Sequence, residues 1–109
     1  MFLHLVMLRL EAADERFQQD IRSYLDRVRA EVPGVLSYHF GPNVADRGKG
    51  YDWAVAGMFA SAAAHDAYQT SPAHLALKDF ITPHIAELVV CDLDTDSGGG
   101  KIGRTARAG

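Results

Sequence analysis

Tyr68 and His74 lie six residues apart in the segment Asp66-Ala67-Tyr68-Gln69-Thr70-Ser71-Pro72-Ala73-His74, and together they have the makings of a proton-transfer pair. Serine followed by proline is a helix-start signature, with serine at the cap and proline in the first turn. His74 therefore falls in that first turn, where free N–H groups carry about half an elementary positive charge. Such a position disfavours imidazolium and keeps a neutral ring that can accept a proton as a general base. A tyrosine hydroxyl nearby can hold a carbonyl or enolate oxygen. His4 adds a third polar group inside an apolar run. Taken alone, each of these residues also fits a group that only closes a structural hydrogen bond.

The other histidines, His39, His65 and His84, have no partner that spacing identifies. No histidine pair stands at the i, i+4 spacing of a helical zinc motif with its acid, so no metal and no cofactor is expected. Cys91 is the only cysteine, which excludes an intrachain disulfide and a multi-cysteine metal cluster. Its place in Leu88-Val89-Val90-Cys91 predicts a small buried hydrophobe.

These residues need a scaffold, and the hydropathy pattern supplies one. Residues 2–10 are apolar on both alternating faces, as in a strand covered on two sides. From Asp14 to Glu31 the apolar residues Phe17, Ile21, Leu25 and Val28 recur at steps of three and four, with Asp14 as cap and Pro33-Gly34 as stop. Strands follow over Val35–Phe40 and Tyr51–Phe59, separated by the polar, glycine-bearing loop Val44–Gly50. A short helix capped by Ser61 and a second from Ser71-Pro72 come next, then a strand over Glu87–Asp94.

The order is β-α-β-β-α-β with a broken second helix, an α+β, ferredoxin-like arrangement with a four-stranded antiparallel sheet. Helices cover one face of such a sheet. The other face is apolar too, and pairing with a second copy in a homodimeric α/β barrel is the simplest way to bury it.

Composition sets outer limits. A chain of 109 residues, 48% hydrophobic and 23% charged, fits one domain, here residues 1–94. The net charge of −3 divides unevenly: residues 1–94 hold 8 basic against 13 acidic residues, while 95–109 are net basic. An acidic body repels phosphate backbones, so no nucleic acid is expected as a partner. The tail 95–109, with Gly98-Gly99-Gly100, reads as flexible. No stretch nears the roughly 20 apolar residues of a membrane helix, no membrane partner is expected, and the start lacks the marks of a signal peptide. The cytoplasm is the expected location.

Several short pieces together resemble one family. They are His4-Leu5-Val6-Met7-Leu8, Pro33-Gly34-Val35, Gly41-Pro42-Asn43, Tyr51-Asp52, Tyr68 with Ser71-Pro72-Ala73-His74, and Val89-Val90-Cys91-Asp92. In order and spacing, over residues 2–94, they resemble the stress-responsive A/B barrel (Dabb) family. The resemblance implies a ferredoxin-like fold and a homodimeric barrel. Family members include stress-induced proteins and a cofactor-free plant polyketide cyclase. From that cyclase the resemblance carries over Tyr68 and His74 as catalytic candidates and His4 as a substrate contact. Trp53 stands where the cyclase has a further pocket histidine, and is the other substrate-binding candidate.

Two functional readings follow. In one, the barrel binds a small, largely apolar or aromatic, polyketide-like metabolite, in a stress-related role, without turnover. In the other, it is a cofactor-free cyclase, lyase or isomerase in which His74 takes a proton beside a carbonyl and Tyr68 steadies the enolate. A cofactor-free monooxygenase is a further alternative that shares only the barrel architecture.

Overall fold

The structure, a computed structural model, describes residues 1–96. In chain order the elements are β1 (Phe2–Leu10), α1 (Glu15–Glu31), β2 (Val35–Pro42), β3 (Trp53–Phe59), α2 (Ala62–Gln69), α3 (Pro72–Ile81), a 3-10 turn (Thr82–His84) and β4 (Ile85–Asp94). The strands form one antiparallel sheet in the order β2-β3-β1-β4. This is the ferredoxin-like α+β fold expected from the sequence.

Helix α1 forms where its stripe and caps place it. The Asp14 Oδ1 accepts from the Phe17 N–H at 2.9 Å, and Phe17, Ile21, Leu25 and Val28 are all buried. Each such side chain contributes about 1.5–3 kcal/mol when taken out of water. Against them pack Leu8, Tyr38, Val55 and Phe59 from the sheet and Tyr68, Leu77 and Ile81 from α2 and α3, forming a single core.

Two glycines shape this packing. Gly34 ends the α1–β2 turn at φ +83°, and a Cβ there would stand 2.6 Å from the Ala64 Cβ. Gly57 lies opposite His4 in the β1–β3 register. A Cβ at Gly57 would come within 2.9 Å of Phe59 and 3.1 Å of the Tyr38 ring, so the bare backbone makes the space that Tyr38 fills.

The helix-free face carries Leu3, Leu5 and Met7 of β1 beside Val89, Cys91 and Leu93 of β4, their register partners. Leu5 is 39% exposed, Val89 42% and Leu93 53%. Strand β4 is the sheet edge and, among the described residues, pairs only with β1. Cys91 points to this helix-free face, opposite Leu5, so it is exposed rather than buried as its apolar neighbours predict.

Three boundaries also differ from the sequence reading: β2 runs on to Pro42, β3 starts at Trp53, and β4 starts at Ile85. Tyr51 and Asp52 instead belong to a loop closed by Asn43, whose N–H donates to Asp52 O at 2.7 Å and whose Nδ2 donates to Tyr51 O at 2.8 Å. At the far end Thr95 donates to Met1 O through its N–H at 2.9 Å and its Oγ1 at 2.8 Å. The rest of the tail expected to be flexible, residues 97–109, lies outside the described residues. No described helix is long and apolar enough to cross a membrane.

Candidate active site

The Ser71 hydroxyl bridges the break between α2 and α3, beside the Ser71 N–H, which donates to Tyr68 O at 3.1 Å. Ser71 Oγ accepts from the His74 N–H at 3.2 Å and donates to Tyr68 O at 2.7 Å. One serine therefore caps α3 and ties it to the last turn of α2. The His74 ring leans on the Tyr68 ring, centroids 4.2 Å apart, and its Nδ1 lies 3.0 Å from Gln69 O. A carbonyl can only accept, so Nδ1 carries the proton and Nε2 keeps its lone pair. Burial holds the His74 pKa below the ordinary histidine value; the bond to Gln69 O opposes this, while the Lys78 charge and His4 add to it. The ring is thus a neutral acceptor, as expected, although desolvation rather than the helix terminus leads.

Tyr68 comes with a partner that local sequence could not supply. Its hydroxyl lies 2.6 Å from that of Tyr38, and both residues are 1% exposed. Burial raises the Tyr38 pKa to about 12 and pushes that of Tyr68 higher still. Both phenols are therefore protonated at neutral pH. Two hydroxyls hold two protons and the mutual bond uses one, which leaves the other for an oxygen placed beside them.

His4, Tyr38, Tyr68 and His74 all line one cavity of about 250 Å³. Its remaining wall is mostly apolar: Val6 and Leu8 of β1, Leu77 and Ile81 of α3, Leu88 and Val90 of β4. Leu88 and Val90 are 46% and 48% exposed, which marks the open side. Lys78 lines the same cavity and brings a cation to it. Trp53 lies elsewhere. It stacks on Phe40, centroids 5.3 Å apart and planes at 4°, and lines a separate hollow against α1 with Gln18, Ile21 and Arg22.

His4 has two further neighbours. Its register partner on β4 is Asp92, and His4 Nδ1 lies 2.6 Å from Asp92 Oδ1. On the other side His65 Nε2 stands 3.3 Å from the same Nδ1. His65 is buried, its ring stacked on Phe2 at 4.4 Å. His84 is fixed outside the site, with Nδ1 2.9 Å from Glu11 O.

Sequence reasoning thus named His4, Tyr68 and His74, which the fold brings together, and missed Tyr38, His65 and Asp92. The available signals were weak: alternation put Tyr38 on the same sheet face as Phe40, His65 precedes Tyr68 by one helical turn, and antiparallel counting sets Asp92 across from His4.

The fold and this cavity define a ferredoxin-like domain with a tyrosine–histidine pocket beside its open sheet edge. Residues 2–95 match the family model of the stress responsive A/B barrel domain, and the chain belongs to that family. Among solved structures, it is similar to a dimeric ferredoxin-like protein from Jannaschia sp. CCS1 at 26% identity, TM-score 0.73, covering 85% of this chain and 97% of that one. It is also similar to a hydroxynitrile lyase from Passiflora edulis at 19% identity, TM-score 0.74, covering 88% and 94%. A Dabb-family protein from Mesorhizobium loti matches at 19% identity, TM-score 0.70, covering 84% and 93%. No match is found among curated proteins.

Proposed function

We propose that this protein is a small-molecule enzyme of the cyclase, lyase or isomerase type that moves a proton at a carbon beside a carbonyl. The observation that carries the reading is a neutral imidazole, anchored through Nδ1 on Gln69 O, packed against a buried tyrosine pair in an otherwise apolar cavity. His74 Nε2 takes the proton from carbon. The negative charge that develops on the carbonyl oxygen is met by the spare O–H of the Tyr38–Tyr68 pair, a donor already fixed in place. The cavity size and walls suit a small, largely apolar substrate, and Lys78 adds a cation for any acidic end it carries. The likeness to a hydroxynitrile lyase is in keeping with lyase chemistry on this fold.

The exposed apolar face supports a working homodimer. Leu5, Val89 and Leu93 would otherwise stay in water, and the Jannaschia relative, similar over most of its length, is dimeric.

The test follows solvent deuterium uptake by NMR at the acidic carbon of 1,3-dicarbonyl compounds with short alkyl or aryl tails. Wild-type protein should accelerate exchange in at least one of them. His74→Ala should lose about 10²–10⁴-fold of that rate while its circular dichroism stays unchanged. Equal rates for the folded variant and the wild type would overturn the reading. A metabolite-binding protein without turnover would then remain.

A further inference from the structure

We propose that His4, His65 and Asp92 form a binding site for a divalent transition-metal ion of the zinc class, next to the cavity that His4 lines. The proposal stands independently of the proton-transfer reading, because only His4 is shared between the two sites.

Three elements, β1, α2 and β4, each bring one ligating atom to a common point, and these atoms lie within 4.8 Å of one another. An ion about 2.0–2.2 Å from each ligand holds tetrahedral neighbours roughly 3.4 Å apart. The His4 Nδ1–His65 Nε2 separation of 3.3 Å already has that span. The His4–Asp92 contact of 2.6 Å has to open by less than about 1 Å on this measure. Asp92 can make that adjustment, since its side chain is 37% exposed on an edge strand.

Proton bookkeeping points the same way. His4 Nδ1 faces both an Asp92 oxygen and His65 Nε2, and one proton on it serves one of them well. A cation takes lone pairs from all three at once. His65 is 2% exposed, so water has little access to substitute.

The outer contacts also fit. His65 Nδ1 lies 3.3 Å from the side-chain amide of Gln69. With that amide turned, its oxygen accepts the Nδ1 proton and frees the Nε2 lone pair, the arrangement usual behind a ligating histidine. Two imidazoles and one carboxylate select zinc, cobalt or iron(II) over magnesium and calcium, which favour all-oxygen sites. Three protein ligands leave coordination positions open.

Chelator-treated full-length protein, titrated with Co²⁺ in visible absorption and with Zn²⁺ by calorimetry, should bind one ion per chain. In NMR spectra of the wild type, Co²⁺ should shift the ring protons of His4 and His65 ahead of those of His39 and His84. Asp92→Asn, on an exposed edge, and His65→Gln should each weaken binding by more than the 10–100-fold that loss of a mere supporting hydrogen bond gives. Cys91→Ser should leave binding unchanged. Absence of Co²⁺ absorption bands, full binding in folded Asp92→Asn, or primary shifts at His39 or His84 would each overturn the site.

Discussion

At the scale of single residues, the tyrosine pair makes a sharper claim than either tyrosine alone. Tyr38→Phe removes the side-chain partner of the Tyr68 hydroxyl within the core. Stranding that hydroxyl should cost about 1–3 kcal/mol, read as a lowered denaturation midpoint. Combining Tyr38→Phe with Tyr68→Phe leaves no orphan, so the double variant should recover most of that stability while turnover stays lost. A double-mutant cycle measures the coupling directly. His74 sets a second expectation. Its neutral form is the base, and burial lowers its pKa from 6.5. The acid limb of kcat/KM should therefore fall below pH 6.5, and an inflection well above that value would exclude His74 as the base.

Elements place these residues, and the α2–α3 break is the joint to probe. Ser71→Ala removes a cap worth about 1 kcal/mol and the Oγ bond to Tyr68 O, while the backbone N–H bond to the same carbonyl stays. Turnover should fall further than this loss of stability alone would bring, because the first turn of α3, which carries His74, loses its side-chain anchor. Gly34→Ala should destabilise by about 1–2 kcal/mol through its left-handed backbone alone, with the Ala64 clash added. Ala64→Gly in the same chain should recover only the clash. This joint was legible in the sequence because Ser71-Pro72 acts over four residues. Helix α1 was legible for a similar reason, its cap and stripe being local. What the sequence hid was long-range: Tyr38 meets Tyr68 across 30 positions, His65 meets His4 across 61, and Asp92 meets His4 across 88. Strand ends were blurred in the same way, since Tyr51 is turned out of β3 by the side chain of Asn43. Exposure of Cys91 could not be read from its apolar neighbours, because Leu88-Val89-Val90-Cys91 is apolar on both alternating faces and only the fold decides which face lacks helices.

For the whole molecule the governing fact is that one side of the sheet has no layer of its own. Leu5→Asp and Val89→Asp place a charge in that face, so light scattering at micromolar concentration should show a dimer for the wild type and single chains for the variants. A wild type that stays a single chain would remove the barrel. Strand β4 gives this assembly an added property. Because neighbouring residues point to opposite sides, Val90 borders the cavity while Val89 and Cys91, one peptide away on each side, look toward the second copy. The same ribbon of backbone is thus a wall for two rooms. A ligand that shifts this wall changes the fit between subunits, and by reciprocity the strength of pairing changes how tightly that ligand is held.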